Sequence, residues 1–166
     1  VAHAKANPGK LSFGSAGVGS GGHLAAEMFK HMAGIDIVHV PYKGVGAATV
    51  DVVGGQIALQ LASVSIVKPH VDSGRLRALA VSTARRTAIA PDIPTLDESG
   101  IKGYQANSWN SLVAPRRTPK AIVRLLNTEI TAVLKLPQLV EPLKSQGIEP
   151  EPGSPDELAR YVREEM

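Results

Sequence analysis

The sequence predicts an α/β fold with a mostly parallel sheet flanked by helices. Short apolar segments alternate with helical patterns along the chain, and this alternation is typical of parallel sheets. Hydrophobic residues make up 43% and charged residues 20% of the 166 residues, which is the composition of a folded domain. No apolar run reaches the ~18 residues that a membrane-spanning helix needs.

The first elements follow one another as strand, helix and strand. Leu11–Gly14 is predicted to be a strand, Ser20–Ala33 a helix and Ile35–Val40 a second strand. Ser20 suits the N-cap of the helix, and Gly34 suits the left-handed position that ends it. Four residues at helical spacing give this helix one apolar face: Leu24, Met28, Phe29 and Met32.

The next stretch continues the alternation. The predicted elements are a helix at Gly46–Val53, a strand at Gln56–Ala62, a helix at Val64–Asp72 and a fourth strand at Arg77–Ser82. Glycines directly after the two helices, at positions 54, 55 and 74, indicate where they end. Ala90–Gly100 contains two prolines and is predicted to form turns.

A boundary between two parts of the chain is predicted near residue 105. Residues 1–105 hold the strand and helix alternation, whereas 106–166 begin with an extended segment that carries the only Trp. Thr118 and Pro119 suit an N-cap followed by Pro at the first helical position. Three helices are predicted in this part: Pro119–Leu136, Gln138–Gln146 ended by Gly147, and one opened by the capping box Ser154–Glu157.

The composition excludes several kinds of site. The chain has no cysteine, which rules out disulfides, thiolate catalysis and cysteine-based zinc sites and fits an oxidising compartment. His3, His31 and His70 lack metal-ligand spacing, so we expect no metal site and no cofactor. The net charge of +3 favours anionic partners. Lys and Arg are not clustered and aromatic residues are only 4%, so no nucleic-acid surface is expected.

The glycine turn Gly17–Gly22 has two interpretations. Its GVGSGG sequence matches G-x-G-x-x-G, and Asp36 lies 19 residues after Gly17, which is the spacing of a dinucleotide fingerprint. In that fold the acidic residue stands at the carboxyl end of the second strand. Asp36 stands at the start of the second predicted strand instead. This position argues against dinucleotide binding, and a fragment of a dinucleotide-dependent enzyme is kept as the alternative function.

The second interpretation is a site for a small carboxylate. Ligands of open parallel sheets bind outside the carboxyl ends of the strands, so the segments Ser15–Ser20, Pro41–Gly44 and Ser63–Ser65 should share one edge. They offer backbone N–H groups at helix N-termini, hydroxyls and Lys43, all of which suit an anion. The segments contain no general base, nucleophile or metal ligand set, so no catalysis is expected.

Five motifs, in order, resemble the Bug family, the periplasmic substrate receptors (TctC-like) of tripartite tricarboxylate transporters. They are GSAGVGSGGHLAAEMF, HVPYKGVGAATVDVVGGQI, GRLRALAVSTARR, PDIPTLDESGIKGY and WNSLVAPRRTP. The resemblance runs from about Asn7 to the C-terminus. It implies a type II periplasmic-binding-protein-like fold that clamps a small carboxylate between two lobes. The ligand would be a di- or tricarboxylate, an amino acid or an aromatic acid. The receptor would deliver it to the membrane subunits of the transporter.

The resemblance also implies an incomplete receptor. Residues 1–105 correspond to the second, ligand-binding lobe, and 106–166 to a crossover segment with helices that return to the first lobe. We expect the N-terminal part of that first lobe, and a signal peptide, to be missing from this chain. Such a truncated chain would expose apolar surface, which makes a homodimer plausible.

The positions that match the family's motifs give the predicted ligand-binding residues. They are Ser15, Ala16, Gly17, Gly19, Ser20, His23, Lys43, Gly44 and Asn110. In this set the loop hydroxyls and backbone N–H groups hold one carboxylate, and the glycines let the ligand approach the backbone closely. Gly21 stands where the family often has Pro. No acidic or amide residue stands near Ala62, where many members have one, so the ligand's identity is not transferred.

Overall fold

The computed structural model describes residues 1–145 and 148–164. The chain divides into two compact units, Val1–Ser108 and Trp109–Met166. The elements in chain order are α1 Ala2–Ala6, β1 Ser12–Ser15, α2 Gly21–Ala33, β2 Val38–Pro41, α3 Val45–Val53, β3 Leu59–Gln60, α4 Val64–Asp72, α5 Lys120–Val133, α6 Pro137–Ser145 and α7 Pro155–Glu164. A parallel sheet flanked by helices confirms the predicted fold class.

The sheet of the first unit has three parallel strands in the order β2-β1-β3. Parallel neighbours need a crossover connection, and α2 supplies the one between β1 and β2. Ser15 pairs with Pro41, and Gly14 pairs with Gln60. Because the strands run in register to a common end, their carboxyl ends form one edge. The third strand is shorter than predicted, since only Leu59–Gln60 finds a ladder.

The predicted fourth strand, Arg77–Ser82, is wrong. Within the described residues this segment makes one isolated bridge, between Val81 and Thr95. It keeps the alternation of a strand, because Val81 is 6% exposed and Leu79 is 68% exposed. A strand needs a neighbour to share its hydrogen bonds, and no described strand runs beside this segment. The alternation of apolar residues correctly indicated an extended segment. It did not indicate whether a neighbouring strand would be present to form a ladder.

The predicted apolar face of α2 is confirmed only for Phe29, which packs against the cluster that contains Tyr104. The buried residues of this helix are Ala26 and Ala33, whereas Leu24, Met28 and Met32 are exposed. The buried positions of this helix are thus occupied by small residues. The larger apolar residues, spaced four apart, are left on the opposite side.

Two apolar clusters hold the first unit together. One surrounds the fully buried ring of Phe13 and includes Ile37 from the approach to β2. The other joins the end of α2 to Tyr104, which is 1% exposed. Phe29 meets the Tyr104 ring edge-on at 6.4 Å between ring centroids. The Tyr104 hydroxyl donates to the Ala25 carbonyl at 2.8 Å, and burial raises its pKa to about 12.

Most predicted helix ends are confirmed. The Ser20 hydroxyl accepts from the His23 N–H at 3.4 Å, and Gly34 ends α2 with φ of 59°. The predicted N-cap Thr118 is wrong, because Pro119 occupies the capping position of α5 without a side-chain cap bond. Proline's fixed φ suits an extended residue before a helix as well as its first turn.

The second unit consists of helices and irregular chain. No described residue between 109 and 164 is buried, so this unit has no apolar core of its own. Trp109 meets the ring of Tyr161 edge-on, with 5.5 Å between ring centroids. The predicted capping box is confirmed, since Ser154 and Glu157 exchange hydrogen bonds. The predicted end of α6 at Gln146 and Gly147 lies outside the described residues.

Candidate functional site

The carboxyl edge of the sheet brings three loops together. The loop after β1 runs from Ser15 to Ser20, and it contacts the start of the loop after β2 through the Tyr42 N–H, which donates to the Ser15 carbonyl at 3.0 Å. On the other side, Gly22 at the start of α2 lies against the Leu61 carbonyl of the loop after β3. The loop Ser15–Ser20, called the glycine loop below, therefore lies between the other two.

Three helices begin at this edge. Helix α2 starts after Ser20, α3 after Gly44 and α4 after Ser63. Each follows directly on a strand or its loop, so their N-termini belong to the same end of the sheet. A helix N-terminus carries a partial positive charge and unpaired N–H groups. The edge therefore favours a negatively charged ligand.

Glycine is required at several points of this edge. Gly17 has φ of 123°, Gly19 has 78° and Gly44 has 136°, and other residues rarely adopt these values. Gly22 is needed for a different reason, because a Cβ there would lie 2.6 Å from the Leu61 carbonyl oxygen. The last glycine of GVGSGG thus permits close packing between the helix and the adjacent loop.

The hydroxyls of the glycine loop are engaged within the protein. Ser15 is only 2% exposed, and its Oγ accepts from the Gly17 N–H at 3.1 Å and lies 2.7 Å from His39 Nε2. The Ser20 hydroxyl donates to the Gly17 carbonyl at 2.8 Å while it caps α2. Both hydroxyls therefore shape the loop through bonds to its own backbone.

Four backbone donors of the loop region remain available. The N–H groups of Ala16, Val18, Gly21 and Gly22 donate to no other described residue. Ala16, Val18 and Gly21 are also exposed to solvent. In contrast, the Gly17 and Gly19 N–H groups are used internally. The donors without an acceptor are thus backbone amides on both sides of Ser20.

Two histidines are hydrogen-bonded to residues of the glycine loop. His23 Nδ1 accepts from the Gly19 N–H at 3.1 Å. The His23 ring lies against that of His39 with 4.1 Å between centroids. His23 was predicted as a site residue from the sequence, whereas His39 was not. Strand alternation offered a signal, because Phe13 and Ser15 share a face of β1 and Phe13 pairs with His39 in β2.

The remaining predicted residues lie at different distances from this edge. Lys43 is exposed and follows Tyr42, whose hydroxyl donates to Asp51 at 2.7 Å. That bond to Asp51 raises the pKa of the Tyr42 hydroxyl. Gly44 caps α3 at the same edge. Asn110 belongs to the second unit and is exposed.

Asp36 lies at the opposite edge of the sheet from the glycine loop. Its carbonyl accepts from the Gly9 N–H at 3.1 Å, in the segment that leads into β1. An acidic residue in this position cannot reach a ribose bound at the carboxyl edge. The geometry of the dinucleotide fingerprint is therefore absent, despite its matching spacing.

Within 1–145 and 148–164, no group of three or more His, Cys, Asp or Glu side chains is arranged to hold a metal ion. Among the same residues, none of the helices combines the length and the apolar character needed to cross a bilayer.

Comparison with known families identifies relatives over the whole chain. A family model described as the tripartite tricarboxylate transporter family receptor matches residues 1–166. Protein BugT of Bordetella pertussis is 36% identical over 166 residues, which are 100% of this chain and 51% of BugT. The chain spans about half the length of the curated relatives it matches.

Solved structures show the same similarity. Rpa4515 of R. palustris with adipate has a TM-score of 0.90 and 38% identity, covering 99% of this chain and 55% of that one. Malate-bound MatC of Rhodopseudomonas palustris has a TM-score of 0.82 and 30% identity, over 95% and 54%. The periplasmic binding protein BugD has a TM-score of 0.77 and 34% identity, covering 89% of this chain and 50% of that one.

These family members and structural neighbours are solute-binding receptors and not enzymes. Together with the position of Asp36, this similarity overturns the alternative of a dinucleotide-dependent enzyme. The chain belongs to the tripartite tricarboxylate transporter receptor family.

Proposed function

We propose that the first unit carries the carboxylate-binding face of a solute receptor. The observation that supports this most directly is the set of free N–H donors at Ala16, Val18, Gly21 and Gly22, beside three helix N-termini. A carboxylate accepts several hydrogen bonds at once and gains from the helix dipoles. The adipate and malate in the solved neighbours belong to the same ligand class.

The proposal differs in detail from the residue set expected from the sequence. Buried Ser15, capping Ser20 and the internally bonded Gly17 and Gly19 shape the loop. Direct contact with the ligand is assigned to the free backbone donors. Lys43 attracts the anion from solvent, and its exposed position supports this role.

The proposed ligand is a small di- or tricarboxylate, an amino acid or an aromatic acid. In this proposal residues 1–105 form the ligand-binding lobe, and 106–166, with Asn110, form the crossover towards the other lobe of the receptor. The half-length match to relatives supports a site that is completed by the other half of such a receptor.

The proposed place of action is the periplasm. The similarity to periplasmic binding protein BugD supports this location. The proposed partners are the membrane subunits of a tripartite tricarboxylate-type transporter, as the family description indicates.

A homodimer of this chain is also proposed. The exposed apolar residues Leu24, Met28 and Met32 of α2 support this pairing. Sedimentation velocity checks this part, because a monomer at high concentration would refute the pairing.

Gly17→Val tests the proposed function. Valine cannot easily adopt φ of 123°, so the free N–H groups at Ala16 and Val18 lose their alignment. We expect the affinity for adipate or malate, measured by calorimetric or NMR titration, to fall at least about tenfold. An unchanged affinity would refute the role of the loop.

Gly100→Val is the matched control. Gly100 also has a left-handed backbone, with φ of 99°, and an added Cβ meets no atom within 4 Å. It lies beside Ile101, which packs near the C-terminal end of α2 and therefore away from the glycine loop. This variant carries similar backbone strain, so it should lose stability without losing affinity.

A further inference from the structure

His23 and His39 form a pair of mutually tilted rings that contact the glycine loop. His23 stands in the first turn of α2 and His39 in β2. Their ring centroids are 4.1 Å apart with 34° between the ring planes. The ring of Phe13 stacks with both histidines, with centroid distances of 4.9 Å to His39 and 6.4 Å to His23. The pair is therefore a packed support for the loop above it.

The contacts of His23 define where its proton must be. Its Nδ1 accepts from the Gly19 N–H at 3.1 Å, and a nitrogen that accepts has no proton. The ring proton of neutral His23 is then on Nε2, which faces Glu27 Oε1 at 4.0 Å. A doubly protonated ring would direct an N–H group at the Gly19 N–H, so the bond would be lost.

The contacts of His39 lead to the other half of the loop. Its Nε2 lies 2.7 Å from Ser15 Oγ, which is also 3.1 Å from the Gly17 nitrogen and 3.0 Å from the Gly17 oxygen. All three contacts are satisfied when Nε2–H donates to Ser15, Ser15 donates to the Gly17 carbonyl, and the Gly17 N–H donates to Ser15. His39 thus fixes Gly17 through Ser15, while His23 fixes Gly19 directly.

The charged groups around the pair are few. Glu27 on α2 lies near His23 and is paired with Lys30 at 2.9 Å. Lys30 also lies 5.8 Å from the centroid of the Phe13 ring. Burial, and next the neighbouring His23, lower the pKa of the His39 imidazole, with Lys30 acting in the same direction and Glu27 against it. Burial and the neighbouring His23 and Lys30 thus disfavour a positive charge on His39.

We propose that His23 and His39 are positioning residues for carboxylate binding, and that the neutral form of His23 holds the Gly19 end of the loop in its binding shape. The proposal rests on the proposed function. Protonation of His23 releases the Gly19 N–H and lets the loop leave this shape. Carboxylate affinity therefore falls as the pH is lowered. The opposite dependence is expected of a histidine that contacts the ligand directly, because its positive charge would strengthen carboxylate binding.

The first test needs no ligand. Imidazole nitrogen shifts of this chain, measured by NMR from about pH 8 to about pH 5, should show neutral His23 protonated at Nε2 and not at Nδ1. The Gly19 amide signal should shift with the same midpoint as His23. A neutral His23 protonated at Nδ1, or a Gly19 amide that does not follow the His23 titration, would overturn the proposal.

The second test measures adipate affinity from about pH 8 to about pH 6, a range in which carboxylates stay ionised. Wild-type affinity should fall on acidification, and the form with protonated His23 should bind about threefold to tenfold more weakly, the equivalent of one hydrogen bond. His23→Asn retains a side-chain acceptor that does not titrate, so it should bind with a flat pH profile. His23→Leu should bind weakly at every pH. His31→Asn, on the same helix, is the control and should behave as wild type.

Wild-type affinity that rises on acidification, or His23→Leu with unchanged affinity, would overturn the positioning role. If adipate, malate and other small carboxylates bind at no pH while Gly19 still follows the His23 titration, the proposed function fails and the hydrogen-bonded support stands. The two tests therefore separate the failure of this inference from the failure of the function on which it rests.

Discussion

Individual residues decide whether the glycine loop can form. Ser20 was predictable as the cap of α2, because capping depends on residues only a few positions apart. The role of His39 was not predictable in the same way, since its contact with Ser15 joins residues 24 positions apart. Ser15 was expected to meet the ligand, yet it is buried at 2% exposure. Local signals gave the loop's shape, and only the folded chain shows which of its donors are already occupied.

Gly22 offers a sharp test of the packing beneath the loop. Alanine there would place its Cβ 2.6 Å from the Leu61 carbonyl oxygen, and neither backbone can move easily. We expect Gly22→Ala to lower the free energy of unfolding in urea by about 1 to 3 kcal/mol. Gly21→Ala is the control, because its Cβ meets nothing within 4 Å. Equal stability of the two variants would contradict the close packing.

His39 predicts how the stability of the first unit depends on pH. Folding lowers its pKa below the usual 6.5, so the unfolded chain binds the proton more readily. The contribution of His39 is fully present above pH 6.5 and is lost as the pH falls from there through the lower folded pKa. Urea unfolding at a series of pH values should show this loss in wild type and in His31→Gln. His39→Gln should lack it, and an identical slope in that variant would disprove the assignment.

Secondary-structure elements were predictable where their signals are local. The bounds of α4, Val64–Asp72, agree with the prediction because Ser63 and Gly74 flank it. The fourth strand failed because a ladder depends on a neighbour that periodicity does not reveal. The prediction for the apolar face of α2 held only for Phe29, because the helix buries Ala26 and Ala33 and leaves Leu24, Met28 and Met32 exposed. The sequence pattern of one element therefore does not predict its contacts with other elements.

The capping box of α7 gives a prediction at this scale. The Ser154 hydroxyl accepts from the Glu157 N–H at 3.2 Å, and the Glu157 carboxylate accepts from the Ser154 N–H at 2.7 Å. We expect Ser154→Ala to destabilise α7 by about 1 kcal/mol. Hydrogen exchange should then be faster for the first-turn amides of this helix and unchanged in α2. Unaltered exchange in α7 would show that the box contributes nothing.

At the scale of the whole molecule, the two units differ in how they are stabilised. The fold class was predictable because the alternation of strands and helices extends over the first unit. The first unit has two buried apolar clusters, whereas no described residue between 109 and 164 is buried. Within this second unit, Leu125 and Leu126 of α5 are exposed apolar residues.

Limited proteolysis should report this difference. A unit without buried residues opens locally at little cost in free energy. We expect trypsin to cut first in the second unit, after Arg116, Arg117 or Arg124, and to leave a resistant fragment of the first unit. Mass spectrometry of early time points identifies the cuts. Initial cleavage inside the first unit would contradict this view of its stability.

The most direct test of the carboxylate-binding face is an NMR titration of this chain with adipate. Millimolar affinity corresponds to about −4 kcal/mol and is still measurable by amide shifts. We expect the largest shifts at Ala16, Val18, Gly21 and Gly22, whose N–H groups are free, and no change of these signals with NAD. Shifts confined to other parts of the chain, or none at about 50 mM adipate, would show that the glycine loop does not bind a carboxylate.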